Sequence, residues 1–192
     1  MGKPFFIYFK IFFNHMDNLG AKTKKNLEDA FAGESMARNK YAYFSSVAKK
    51  AGLVQMANLF IETAENEKEH AKLWAKELGL INKTADNLKA AIAGEHFENS
   101  EMYVRMAEEA EEEGHKDVAH KFRMVAEAEK AHEARYKKLL ENLENDQVFK
   151  RNEVKRWKCG NCGYIHEGNE APEICPACQH KKEYFELFAE NY

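Results

Sequence analysis

Glu67-Lys68-Glu69-His70 and Glu129-Lys130-Ala131-His132 are two copies of one Glu-x-x-His pattern, and their setting decides the fold. Both lie in a tract without proline, since the three prolines stand at 4, 172 and 176, so nothing from 5 to 171 forbids helix. Within it Gly52, Gly79 and Gly114 each follow a polar, helix-forming turn and read as C-terminal stops. Four helices are predicted, over about 22–51, 53–78, 85–113 and 115–145. Each carries apolar residues at three- and four-residue spacing, such as Leu27, Phe31, Tyr41 and Ala48 on the first and Val118, Phe122, Val125, Tyr136 and Leu143 on the fourth. Four amphipathic helices make a bundle.

The middles of these stripes are polar. Glu67 and His70 fall between Phe60 and Trp74 on one face, Glu129 and His132 between Val125 and Tyr136, Glu34 between Phe31 and Tyr41, and Glu95 and Glu98 between Ile92 and Met102. All seven groups are expected to point into the core. The spacing alone is weak evidence, because Glu112-x-x-His115 has it too while straddling the Gly114 stop. Five carboxylates in one core are another matter. Each unpaired buried charge costs several kcal/mol and repulsion adds to it, so only protonation or cations relieve the cluster. A Glu on each of two helices plus Glu-x-x-His on each of the other two is a di-iron carboxylate pattern. Oxygen-rich ligation with one imidazole per metal suits iron or manganese better than zinc or copper. Tyr41 and Tyr103, seven and eight residues beyond Glu34 and Glu95, are expected to hydrogen-bond ligand carboxylates. Gly33 and Gly94, well inside helices at a cost of about 1 kcal/mol each, point to close helix packing beside the metals. The other histidines, at 15, 96, 115, 120, 166 and 180, read as surface.

The helical tract also repeats itself. Ala32-Gly33-Glu34 matches Ala93-Gly94-Glu95, and Gly52, Glu67 and His70 match Gly114, Glu129 and His132, with one residue inserted before the glycine in the second copy. The two helix pairs are pseudo-equivalent.

After residue 145 the texture changes, and all four cysteines follow. Cys159-x-x-Cys162 and Cys175-x-x-Cys178 form a two-knuckle tetrathiolate spacing, strong as a metal signal and silent on which metal. Gly163 and Pro176 suit tight turns whose backbone N–H groups point at sulfur, and Trp157, Tyr164, Phe185 and Phe188 are available for a small aromatic core. Alone, the segment reads equally as a zinc ribbon; beside a redox-active bundle, iron is favoured, with zinc able to substitute. The expected division is an apolar extension at 1–16 with no assigned role, a bundle at 17–150 and a metal module at 151–192.

A net charge of −3, with 29 basic residues interspersed among 32 acidic ones, leaves no basic face for a nucleic acid. The apolar run Phe5 to Phe13 is far short of the roughly 20 residues a membrane helix needs, and no small-residue cleavage site follows it. A cytoplasmic chain without a membrane partner is expected.

Ala-Gly-Glu-Ser-Met-Ala-Arg-Asn-Lys-Tyr at 32–41, Glu-Asn-Glu-Lys-Glu-His at 65–70, Gly-Glu-His-Phe-Glu at 94–98, Glu-Lys-Ala-His at 129–132 and the four-cysteine spacing together resemble the rubrerythrins, over residues 21 to 188. The resemblance implies a mainly α chain, a ferritin-like four-helix bundle followed by a small rubredoxin-like tetrathiolate metal module with short β-strands. It implies Glu67 and Glu129 as bridging ligands, Glu34 and Glu95 as terminal ones, His132 on one iron, and an exchange of His70 for Glu98 on the other as the centre cycles between reduced and oxidised states. The counterpart of Glu98 in the first half is Ala37, so a symmetric ferritin-type centre would lack it. The implied activity is a peroxidase: hydrogen peroxide is reduced to water, and electrons enter through iron on Cys159, Cys162, Cys175 and Cys178 from a rubredoxin or an NAD(P)H-linked reductase. A ferroxidase or iron-handling protein of the same fold is the alternative. Gln179 stands where such knuckles usually have Gly, and is expected at positive φ at a cost of about 1 kcal/mol.

In a ferritin-like bundle the second and third helices run parallel, so their connection must travel back along the axis. From Glu67 to a helix end near 78 is about 16 Å, and from a start near 85 to Glu95 about 15 Å. The roughly 30 Å gap exceeds the roughly 25 Å that seven peptide steps span. The expectation is a homodimer in which helices one and two pair with three and four of another subunit.

Overall fold

In the computed structural model, residues 19–191 are described; the extension at 1–16 lies outside them. Helix α1 (Ala21–Lys50) turns into α2 (Val54–Glu77). Next comes α3 (Thr84–Phe97), which runs through a π-helical turn, Glu98–Met102, into α4 (Tyr103–Glu112), and then α5 (Lys116–Glu144). The three glycine stops form as expected. Gly52, Gly79 and Gly114 have φ of 77°, 64° and 85°. Each donates its N–H to a carbonyl three residues back, and the next residue's N–H reaches five back: Leu53 to Ala48 at 2.9 Å, Leu80 to Ala75 at 2.8 Å, His115 to Ala110 at 2.8 Å. This double closure needs left-handed backbone at the glycine, which L side chains resist.

The chain divides into two compact units, Met1–Lys83 and Thr84–Tyr192. In the first, α1 packs against α2 through small residues: Ala48, Ala57, Ala64, Ala71 and Ala75 are buried, and the buried Ser45 hydroxyl donates to the carbonyl of Ala57 at 2.8 Å. In the second, α3 and α4 pack on α5 around Ala107, Ala110 and Ala119. The larger apolar residues lie off these seams. Val118, Val125 and Leu143, expected in a core, are exposed, as are Phe44, Leu59 and Leu73. Alanine seams bring helices close, so the wider apolar stripe is turned away from the pairing within each unit. Gly33 and Gly94 do not serve close packing here, since a Cβ at either would meet nothing within 4 Å.

The C-terminal module is a three-stranded antiparallel sheet in the order β2-β1-β3, with β1 at Lys150–Cys159, β2 at Ile165–Glu170 and β3 at Phe185–Leu187 after a 3₁₀ turn, Lys182–Tyr184. Its core is Trp157, Cys159, Ala171, Cys175 and Phe185. The Trp157 indole donates to the carbonyl of Gly168 at 3.0 Å. Two aromatics expected there lie outside it: Tyr164 is exposed, and Phe188 is half-buried under the Arg156 guanidinium, 4.4 Å from the ring. The rings of this core are Trp157 and Phe185, with Phe149 packed against them.

The fold class is therefore the expected one, mainly helical, with the helices of a ferritin-like bundle followed by a small four-cysteine module. Among the described residues no helix is long and apolar enough to cross a membrane.

Candidate metal centres

Three groups of side chains converge closely enough to hold metal, each with its ligand atoms within 4.8 Å of one another: Glu34, Glu67 and His70 in the first unit; Glu95, Glu129 and His132 in the second; and the four cysteines. The two helical groups are near copies. The i, i+3 spacing puts Nδ1 of His70 2.7 Å from Glu67, with Glu34 on the facing helix at 3.9 Å. His132 Nδ1 is 2.7 Å from Glu129 and 3.6 Å from Glu95. The side chains are not sunk in a core. Glu67 and Glu129 are 17% and 15% exposed, and His70 and His132 are 52% and 41% exposed. Each group sits on a helix face that its own unit leaves uncovered.

The second unit carries more. The residue inserted in the second repeat appears as the π-helical turn Glu98–Met102, which adds one residue between Glu95 and Tyr103. Glu98 opens that turn. Burial, then the charge of Glu129, holds its carboxyl above the usual range, with His132 opposing. Burial also raises Glu95, reinforced by its hydrogen bond with Glu129 and by that carboxylate's charge. Tyr103 packs on Phe122 at 5.9 Å, and burial followed by the charges of Glu98, Glu129 and Glu95 pushes its hydroxyl up. Tyr41 packs against Phe44 and Phe60 at 6.2 and 6.3 Å.

One buried carboxylate escaped the sequence reading. Glu133, only 7% exposed, accepts a hydrogen bond from Asn99 at 2.9 Å and pairs with Lys137 at 2.6 Å and His96 at 3.2 Å. The bonds from Lys137 and Asn99 hold its carboxyl down to about 2. Its signal was the seven-residue series Ala119, Ala126, Glu133, Leu140, a seam interrupted by a single charge. His96, read as surface, is exposed but anchored to it.

The two cysteine knuckles are built alike. Cys159 and Cys175 accept, at their carbonyls, the N–H groups of Gly163 (2.8 Å) and Gln179 (2.9 Å), and donate their own N–H to Tyr164 and His180, both at 2.8 Å. Gly163 and Gln179 share left-handed backbone, φ 79° and 61°. Gln179 thus adopts the conformation that the resemblance to rubredoxin-like knuckles implied. The sulfurs are unbridged, with Cys159 and Cys178 3.7 Å apart and Cys162 and Cys175 also 3.7 Å apart. The His180 backbone N–H on Cys178 lowers that thiol to about 6. On Cys162 the Tyr164 N–H acts in the same sense, but the neighbouring sulfurs and burial outweigh it and push the thiol up to about 12. Four thiols so close cannot all ionise without a cation among them.

These donor sets fit the implied metals. No Lys or Arg pairs with Glu34, Glu67, Glu95, Glu98 or Glu129 among the described residues; their ion pairs run to the two histidines alone. Burial first, and then the charge of Glu129, raises the carboxyls of Glu95 and Glu98, and bound cations would offset both effects. The two Glu/His clusters are candidates for a di-iron carboxylate site and the four cysteines for a rubredoxin-like one.

Comparison with known proteins agrees. Residues 25–140 match the family model described as Rubrerythrin, and residues 157–186 the model for the rubrerythrin rubredoxin-like domain. The chain is 51% identical to a rubrerythrin of Clostridium perfringens over 190 residues, covering 90% of this chain and 97% of that one. It is 50% identical to rubrerythrin-1 of Clostridium acetobutylicum with the same coverage, and 46% identical to a rubrerythrin of Nitratidesulfovibrio vulgaris over 186 residues, 90% of this chain and 97% of that one. Two helix pairs that carry candidate metal ligands, a four-cysteine knuckle module and these matches along most of its length make the chain a member of the rubrerythrin family.

Proposed function

We propose that the chain reduces hydrogen peroxide to water at a di-iron site held by Glu34, Glu67, His70, Glu95, Glu98, Glu129 and His132, with electrons entering through iron on Cys159, Cys162, Cys175 and Cys178 from an NAD(P)H-linked donor. Rubrerythrins are in general di-iron peroxidases of oxidative-stress defence. The overall change is H₂O₂ plus two electrons and two protons to two H₂O. An iron pair held by these residues would supply the two electrons and Lewis-acid assistance to the cleavage of the oxygen–oxygen bond. The residues divide the remaining work. His70 would give iron a nitrogen donor and Glu98 an oxygen donor, the pair between which the proposed exchange takes place. Tyr103 keeps its proton, because burial and three carboxylates oppose its loss, and is left as a hydrogen-bond donor towards them. Tyr41 is its counterpart in the first half, seven residues beyond Glu34.

The observation that carries this reading is Glu98, an extra carboxylate at the opening of a π-helical turn beside Glu129 and His132, where the first half has Ala37. Iron storage needs neither it nor a cysteine module. The test compares oxidants on the anaerobically reduced, iron-loaded protein. Peroxide is expected to oxidise it faster than oxygen; faster oxidation by oxygen assigns a ferroxidase instead.

The sites are composite in this reading. Helix α2 ends at Glu77 and α3 begins at Thr84, leaving seven peptide steps, at most about 25 Å, for a return of roughly 30 Å. The exposed apolar stripes of both units suit cover by a second copy. Mixing a Glu67→Ala chain with a Glu129→Ala chain decides it. A swapped dimer regains one intact site per pair of chains and recovers activity, whereas sites closed within one chain stay dead in every combination. The same reading divides the chain functionally into a di-iron part at 17–150 and an electron-inlet part at 151–192.

A further inference from the structure

The two halves of the helical repeat differ in a group that touches no candidate metal position. In the second half, the Asn99 side-chain amide donates twice: to the backbone carbonyl of Glu95 at 2.6 Å, one turn back, and to the Glu133 carboxylate at 2.9 Å on α5. Glu133 is held further by Lys137 at 2.6 Å and His96 at 3.2 Å. The corresponding positions of the first half are Ser35, Arg38, Ala71 and Ala75. There Ser35 bonds only the Phe31 carbonyl of its own helix, and two buried alanines fill the seam.

Holding two helices together does not require this network, since alanines suffice in the first pair. A buried carboxylate is the more expensive choice even when paired. What the second half has and the first lacks is the π-helical turn with Glu98 at its start. Asn99 is the next residue. Its amide ties that turn to the backbone of one candidate ligand, Glu95, and to the neighbour in sequence of another, His132. An inserted residue can migrate along a helix, because the π geometry costs little more at one position than at the next; a side chain bonded both one turn back and across the seam fixes it in place.

We propose that Asn99 and Glu133 are positioning residues that lock the π-helical turn in register, so that Glu98 is presented to the metal position while its backbone stays fixed. The inference rests on the reading of Glu98 as an exchangeable ligand.

Two measurements test it. In the metal-free full-length chain, Asn99→Ala is expected to speed amide hydrogen exchange at residues 98–103 about tenfold or more, leaving α1 and α2 unchanged. Glu133→Gln, which keeps an acceptor for Asn99, should retain most of the protection. Unchanged exchange at 98–103 in Asn99→Ala overturns the proposal. In the iron-loaded protein, Asn99→Ala is expected to slow peroxide turnover about tenfold, and to slow it no further in a Glu98→Ala background. If the two losses multiply, Asn99 acts as a general prop and the proposal fails. Full turnover in Glu98→Ala alone removes the ligand reading and the proposal with it, a result distinct from a failed clamp, in which Glu98→Ala is impaired and Asn99→Ala is normal. The visible band of the four-cysteine iron reports in every sample that the rest of the chain is intact.

Discussion

Gln179 occupies a left-handed position, φ 61°, that its twin knuckle gives to Gly163. A side chain there costs about 1 kcal/mol, and its long 3.5 Å contact to the Cys175 carbonyl returns little. Gln179→Gly is therefore expected to raise the guanidinium midpoint at which the iron–thiolate band disappears; a lowered midpoint would mean that the amide contact outweighs the strain. Lys182 is a second residue whose effect has a definite sign. Its hydrogen bond to Glu173 raises its pKa against the opposing effect of burial, and the charges of Glu173 and Glu170 add to the rise. A folded value above the unfolded one, about 10.4, makes the stabilisation complete below that pH and removes it as pH climbs through the folded value. The melting temperature of the wild type should exceed that of Lys182→Met by a constant few degrees from pH 7 to 9.5, and the difference should shrink only above that.

At the scale of elements, the helices meet through alanine. Ala119 has no exposed surface, and its seam on α5 continues through Ala126 and Glu133. Ala119→Leu forces added methylenes into a closed contact and is expected to destabilise the helical unit by about 1–3 kcal/mol in chemical denaturation followed by circular dichroism, with the cysteine band unaffected. The helix boundaries were legible because glycine stops are local: the left-handed residue and its two hydrogen bonds are set within six residues. The π-helical turn was legible only as an odd residue in the repeat. Its location depends on which carbonyl each N–H meets, and single-chain periodicity does not record that. The burial of Glu133 was missed for a related reason. A charge on a helix is read as solvated unless its partners are known, and Asn99 lies on another helix, far away in sequence.

At the scale of the molecule, the proposed function expects the cysteine module and the helical clusters to be separable. Cys175→Ala is expected to abolish the iron–thiolate band and donor-driven turnover. A chemically reduced sample of the same variant should still consume one equivalent of peroxide per di-iron site. Loss of that single turnover would show that the module is needed for more than electron supply. The alanine seams and the uncovered ligand faces belong to this scale too. The large apolar residues of the stripes, such as Val125 and Leu143, are exposed in their own unit, and of the candidate ligands His70 is exposed and His132 half-buried. A chain with this much apolar surface is expected to associate.

By itself the sequence determined the four helices and their ends and the candidate metal-binding residues of both kinds. Each follows from residue type and short-range spacing, and covalent geometry transmits these without help. Tertiary structure alone decided that alanines rather than the large apolar residues form the seams, that the inserted residue lies at 98–102, and that Asn99 and Glu133 join across two helices. Those depend on which surfaces meet, and contacts between residues distant in the chain are fixed by packing, not by the local pattern of either partner.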